Sequence, residues 1–329
     1  SHVTMIQVER DDIVIEGSES YDPLFTDLGF SKIHDGVGCD GRCPTEGWVR
    51  SLEASSNDYP TFPKGLSCTP GAQQAYVDRG VTVLTYADDR FGRKEGSYKS
   101  TQLFIRETLH YHPDVKEVVT LNEKDLFNSA LYREFKDWYD RPLHNGGVGN
   151  GLKPFFMLEV LTRMSDGDYL LWHDSSPEIW DRNKDYTKIR LKELMSICTQ
   201  NRGILVPAWF DLLGGKHTHE MMTNPQCMDI MRVNRYIKSP QWCTSWVLVQ
   251  KSEYVTRLMK EWMHFMTKEE CASVDYSKEE NRSANPKFVE HRYDQSVLTL
   301  LMLREGLGYV QTEGKCIFDN AIPRLVHST

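Results

Sequence analysis

The chain has 329 residues, with 39 Lys and Arg against 47 Asp and Glu for a formal net charge of −8, and 40% hydrophobic against 26% charged residues. That composition excludes disorder for most of the length. The acidic balance excludes a nucleic-acid groove as the main business, since neutralising phosphates needs a surplus of Lys and Arg on one face, and no run of about 18 apolar residues offers a membrane-spanning helix.

Residues 1–79 crowd Gly, Pro, Ser, Asp and Asn into segments such as Asp35-Gly36-Val37-Gly38, with few periodic apolar stretches. They predict an irregular N-terminal extension packed on a main body of residues 80–329. The chain opens on Ser1-His2 without a signal-peptide pattern, so the expected location is cytoplasmic, or the lumen of the secretory pathway if a membrane anchor once preceded it. Eight cysteines stand at 39, 43, 68, 198, 227, 243, 271 and 316 with no Cys-x-x-Cys pair, which argues against structural zinc. A disulfide among Cys39, Cys43 and Cys68 stays open, while Cys198 and Cys243 lie in apolar segments and read as buried thiols.

From residue 80 onward strands and helices alternate. Val81-Thr82-Val83-Leu84-Thr85-Tyr86 is a short β-branched apolar run that ends in Ala87-Asp88-Asp89-Arg90. A helical pattern around Leu103, Phe104 and Leu109 and a strand at 118–121 complete a βαβ unit. Pro154 opens a helix carrying Phe155, Leu158, Leu161 and Met164, and the turn Ser165-Asp166-Gly167 delivers a strand at 169–172. Next come a helix with Ile189, Leu194 and Ile197, a strand at 203–207, and a long polar segment at 210–241 containing Gly214-Gly215-Lys216-His217-Thr218-His219. Its length and glycines predict a mobile lid. A strand at 246–249, an amphipathic helix with Val255, Leu258, Met259, Trp262 and Phe265, and a helix at 294–304 followed by Gly306 close the pattern. The fold class expected is α/β: a Rossmann-like, mostly parallel sheet with helices on both faces, whose ligands sit outside the carboxyl ends of the strands.

Two segments carry candidate chemistry. Asp174 leaves the 169–172 strand at such an end, where a carboxylate suits a hard cation on phosphates, although Asp-Ser-Ser-Pro is also good turn chemistry. Glu290-His291-Arg292-Tyr293-Asp294-Gln295-Ser296 places acids, a His, an Arg and a Gln before an apolar helix. Asp294 is the natural N-cap there, but capping leaves its charged neighbours unexplained.

Four segments, taken in order, resemble a family of GT-A-fold glycosyltransferases with members among bacterial polysaccharide loci and large algal viruses. They are Tyr86-Ala87-Asp88, Gly149-Asn150-Gly151-Leu152-Lys153-Pro154, Gly167-Asp168-Tyr169-Leu170-Leu171-Trp172-His173-Asp174, and Phe288-Val289-Glu290-His291-Arg292-Tyr293-Asp294-Gln295-Ser296. The resemblance covers about residues 80 to 312. It implies transfer of a sugar from a nucleotide-sugar donor such as a UDP-sugar to an acceptor hydroxyl of a glycan or glycoprotein, assisted by Mn²⁺ or Mg²⁺ on the diphosphate. Asp174 takes the Asp-x-Asp place with Ser176 as its third member, so a second metal ligand has to come from a histidine, His291 being best placed. Thr85, Tyr86, Asp88, Asp89, Lys153, Arg292 and Gln295 are then expected around the donor, and Asp294 or Glu290 as the base or the group facing the anomeric carbon. Trp209, His217, His219 and Trp242 are expected at the acceptor and lid. Two other classes compete: a non-catalytic nucleotide- or carbohydrate-binding module, and a metal-dependent phosphohydrolase using Asp88, Asp89 and Asp174.

Overall fold

A computed structural model describes residues 30–34, 46–50, 80–88, 97–129, 132–133, 136, 151–176, 186–209, 217–272, 285–312, 318 and 321–327. In the N-terminal region β1 (Phe30–His34) and β2 (Glu46–Arg50) pair antiparallel with each other. The rest of the N-terminal extension, with Cys39, Cys43 and Cys68, lies outside the described residues. The main body then runs β3 (Val81–Tyr86), α1 (Ser97–Leu109), β4 (Val115–Leu121), α2 (Glu123–Phe127), α3 (Leu152–Leu161), β5 (Tyr169–His173), α4 (Leu191–Gln200), β6 (Ile204–Leu205) and β7 (Pro207–Trp209). It continues with α5 (His219–Met222), α6 (Pro225–Met231), β8 (Trp246–Gln250), α7 (Glu253–Met266), α8 (Glu269–Ala272), α9 (Tyr293–Arg304), β9 (Gly308–Thr312) and β10 (Ala321–His327).

The central sheet has the order β4-β3-β5-β8-β6. Strand β3 is parallel to both β4 and β5, and β8 is antiparallel to β5 and β6. Side chains of a strand alternate between faces, so an apolar run feeds two cores at once. Val81, Val83, Leu171, Trp246 and Leu248 pack on the side of α1 and α4 with Ile105, Leu109, Leu191, Leu194 and Ile197. Leu84, Tyr86, Leu170, Trp172, Val247 and Val249 pack on the other side against α3, α7 and α9. The expected α/β class with helices on both faces therefore stands, with β8 as the antiparallel member. Burial on both faces makes a strand apolar throughout whichever way it runs, which is why the sequence pattern did not separate β8 from its parallel neighbours.

The expected strand at 203–207 divides at Val206. Strand β6 pairs with β8, while β7 pairs in parallel with β9 in a second sheet of order β10-β9-β7. Gly308 is required where β9 meets β10, because a Cβ there would lie 2.5 Å from the Val326 carbonyl oxygen.

The lid expectation is corrected for residues 217–241. This stretch holds α5 and α6, and an isolated bridge between Thr218 and Pro240 closes it. Cys227, Met228 and Met231 are buried in the core. A disulfide joins Cys227 of α6 to Cys271 of α8. A segment whose apolar side chains are core and which is covalently tied to α8 is a packed part of the body. Cys198 is a free buried thiol as expected, and burial pushes its pKa up. Cys243 is disulfide-bonded instead of free.

The Cys227–Cys271 link closes a loop of sequence separation 44. For a loop of that size the chain-entropy model gives about 4 kcal/mol of stabilisation, at the top of the usual range of about 2–4 kcal/mol. Replacing both cysteines with Ala should lower the unfolding free energy by that order in urea titrations followed by fluorescence. An unchanged midpoint and slope would show that the link contributes nothing to the fold.

Candidate active site

The parallel pairing of β3 and β5 brings the ends of both strands to one edge of the sheet. There Ser175 Oγ donates to the Tyr86 carbonyl at 2.5 Å and stitches the two strand ends together. The Asp174 backbone N–H donates to the Ser245 carbonyl at 2.8 Å, on the segment that leads into β8. Because β8 is antiparallel, its start lies at the carboxyl edge of β5, with Trp246 opposite His173.

Three charged groups converge at this edge. Lys153, in the first turn of α3, extends its ammonium to Asp294 Oδ2 at 2.7 Å and to Asp174 Oδ1 at 3.3 Å. It also donates to the carbonyl oxygen of Thr244 at 2.7 Å and to the Thr244 hydroxyl at 3.1 Å. The Thr244 hydroxyl in turn donates to Asp294 Oδ2 at 3.1 Å, and Trp172 Nε1–H donates to Asp174 Oδ1 at 2.6 Å. Burial opposes the charge on Lys153, which is only 7% exposed, but Asp174 and Asp294 outweigh it and its pKa is raised. Burial raises the pKa of Asp174, opposed by Lys153 and by the Trp172 hydrogen bond. Two carboxylates around one ammonium leave a site that favours cations over free anions.

The two roles weighed for Asp294 are separated by the helix start. The N-cap of α9 is Arg292, so Asp294 lies inside the first turn and its carboxylate is committed to Lys153 and Thr244. Trp262 Nε1–H donates to the Asp294 carbonyl at 3.1 Å and pins the backbone beneath it. Tyr293, just before it, holds φ at 40°, a left-handed conformation that costs a non-glycine residue roughly 1–2 kcal/mol.

The other expected site residues divide. Tyr86 donates through its hydroxyl to Asp88 Oδ2 at 2.7 Å, and Asp88 is fully buried. The Thr85 hydroxyl is buried beside them without a hydrogen-bond partner among the described residues, and Asp89 lies outside those residues. Gln295 donates to Gln241 Oε1 at 2.9 Å, linking α9 to the packed 217–241 stretch. Glu290 and Arg292 pair with each other at 2.5 Å on the exposed side of the motif and do not join the Lys153 cluster. Lys153 is turned inward on the two carboxylates.

His291 is corrected as a metal ligand. Its Nδ1 accepts the Asn224 N–H at 3.1 Å and its Nε2 donates to the Cys271 carbonyl at 2.8 Å, so both ring nitrogens are used. His219 is fully buried with Nδ1 on the Thr223 hydroxyl at 2.8 Å, and His217 accepts the Gln241 N–H through its backbone oxygen. Trp242 is fully buried against Tyr309 and cannot stack on a sugar. Trp209 ends β7, and its side chain lies outside the described residues. Among the described residues no group of three or more His, Cys, Asp or Glu converges on a metal position. Asp174 and Asp294 fit a hard divalent cation only if phosphate and water oxygens complete its shell.

Thr244 was missed by sequence reasoning. Its one signal is the polar pair Thr244-Ser245 directly before an apolar strand, and that signal carries meaning only once β8 is known to run antiparallel.

Three buried imidazoles give a pH dependence. Burial lowers the pKa of His173 and His219 to about 3 and that of His291 to about 4, against 6.5 in an unfolded chain. The unfolded chain therefore binds protons below pH 6.5 that the native state refuses until about pH 4 and below, so these groups cost nothing above 6.5 and stability falls as the pH drops. Each can contribute up to about 1.4 kcal/mol per pH unit in that window. Denaturant unfolding at pH 7.5 and pH 5 should show a clear loss at pH 5, with a shallower slope in His219→Asn. Equal stability at the two values would mean that the rings are not held neutral.

No protein-family model matches the chain, and no curated protein matches it. Among solved structures it is similar to 4-diphosphocytidyl-2C-methyl-D-erythritol synthase from Anaerococcus prevotii DSM 20548, at 11% identity and a TM-score of 0.29 over 69% of this chain and 99% of that one. It is also similar to glucosyl-3-phosphoglycerate synthase from Mycobacterium tuberculosis, at 11% identity and a TM-score of 0.31 over 74% of this chain and 86% of the other. The second was solved in complex with Mn²⁺, UDP-glucose and phosphoglyceric acid. Values this low say nothing of the chemistry of the present chain.

Proposed function

We propose that the chain is a nucleotide-dependent transferase, and within that class a glycosyltransferase that moves a sugar from a nucleoside-diphosphate donor to an acceptor hydroxyl. One observation carries the reading. Three separate motifs of the resemblance each contribute one charged residue to a single cluster at the carboxyl edge of the sheet: Lys153, Asp174 and Asp294.

In this reading Asp294 is the base. The acceptor hydroxyl passes its proton to the Asp294 carboxylate as its oxygen bonds to the anomeric carbon, and the bond from that carbon to the diphosphate breaks with its electron pair leaving on the nucleoside diphosphate. Lys153, paired with both carboxylates, holds them close together. Asp174 would hold Mn²⁺ or Mg²⁺, which when bound supplies neutralisation of the diphosphate charge. The end of β3, where Tyr86 bonds to Asp88, would lie beside the base and ribose, with Thr85 and Asp88 buried beneath it. Glu290 is the weaker candidate base, since Arg292 already pairs with it. The Cys227–Cys271 disulfide favours residence in an oxidising compartment.

A panel of nucleotide sugars with and without Mn²⁺, read as thermal stabilisation and as donor hydrolysis, tests the proposal. Stabilisation without any turnover would favour a binding module, and attack on simple phosphate esters a phosphohydrolase. Asp294→Asn should keep donor binding, melt at a lower temperature because Lys153 loses its nearest charge partner, and lose turnover, measured where the variant is still folded, by about 10²-fold or more, the size of a removed general base. Normal turnover in that variant would exclude Asp294 as the base.

A further inference from the structure

The two oxygens of Asp294 are not equivalent. Oδ2 takes the Lys153 ammonium at 2.7 Å and the Thr244 hydroxyl at 3.1 Å, while Oδ1 has no partner among the described residues. The side chain is 21% exposed. The proton direction at Thr244 is forced by valence. An ammonium only donates, so the Thr244 hydroxyl accepts from Lys153, and its single proton can then go only to the carboxylate.

We propose that Thr244 is a positioning residue for the transfer reaction. By occupying Oδ2 it locks the Asp294 carboxylate against rotation and presents Oδ1 as the oxygen that takes the acceptor proton. This rests on the transferase reading above and adds a residue and an atom to it. Three fixed points support the lock. The Asp294 backbone is held by Trp262, Oδ2 is held by Lys153 and Thr244, and Thr244 is itself 2% exposed with its carbonyl bonded to the same ammonium. A carboxylate joined to its chain by a broad terminal torsion otherwise exchanges its two oxygens freely. The hydroxyl of Thr244 can be removed while the carbonyl contact, the Lys153 ion pairs and the side-chain volume are kept, which separates positioning from charge.

The test is steady-state kinetics of the whole chain on the nucleotide sugar that it hydrolyses or transfers, for wild type, Thr244→Val and Thr244→Ser, with melting temperatures alongside. The expected result is a fall in kcat of about 10-fold or more in Thr244→Val, with the donor KM within about twofold, and recovery of most of that loss in Thr244→Ser, which restores the hydroxyl. Wild-type kcat in a folded Thr244→Val protein overturns the proposal, and so does a Thr244→Ser protein as slow as Thr244→Val. If Thr244→Val fails to fold, Thr244→Ala against Thr244→Ser makes the same comparison. A wild-type protein that turns over no nucleotide sugar overturns the transferase reading and this inference with it, whereas an active wild type with an unaffected valine variant overturns Thr244 alone.

Discussion

The ammonium of Lys153 is the interaction on which the site depends. A nearly buried cation is costly unless it is paired and fully hydrogen-bonded, and here two carboxylates, a hydroxyl and a backbone carbonyl surround it. The same cation lies between two acids that would otherwise repel each other at this range. It sits at the start of α3 and its partners come from three other places in the chain, the end of β5, Thr244 just ahead of β8 and the first turn of α9, so the cluster forms only when all four elements are in register. A shift of α3 alone would take the cation away from both acids at once.

The surroundings hold that register. Strand β8 enters the sheet antiparallel, which puts Thr244 and Ser245 beside Asp174 at the carboxyl edge. The start of α9 is held from below by Trp262 and from the side by His291, whose two nitrogens tie the motif to Asn224 and to Cys271. Asn224 caps α6, and Cys271 is bonded to Cys227 in that same helix. The histidine that looks like a ligand in the motif is thus a structural connector, and the polar stretch that looks like a lid is the wall to which it connects. Gln295 and Gln241 add a further link between the same two parts.

Much of the fold was legible in the sequence, because period-two and helical spacing follow from how side chains project from strands and helices. The strand at 81–86, the strand at 169–172, the α7 stripe of Val255, Leu258, Met259, Trp262 and Phe265, and the C-terminal stop of α9 before Gly306 all lie where the pattern placed them. The sequence also marked Asp174 and Asp294 as residues of interest by their places at a strand end and a helix start, and Lys153 through the motif of the resemblance. It was silent on which way β8 runs, because a strand buried on both faces is apolar in either direction. It was equally silent on the Cys227–Cys271 pairing, since spacing alone leaves many pairings open.

Local periodicity was thus enough to write down the elements and the charged residues at their ends. What those residues do to one another was settled by the packing of distant segments. Whether Asp294 caps a helix or faces Lys153, and whether His291 binds a metal or a backbone carbonyl, depends on contacts between residues 20 to 141 positions apart (Cys271 to His291, Lys153 to Asp294), and separations of that kind leave no trace in local spacing. Thr244 shows the limit most plainly: an ordinary threonine in the sequence, it becomes the hydrogen-bond bridge of the site because an antiparallel strand sets it between an ammonium and a carboxylate.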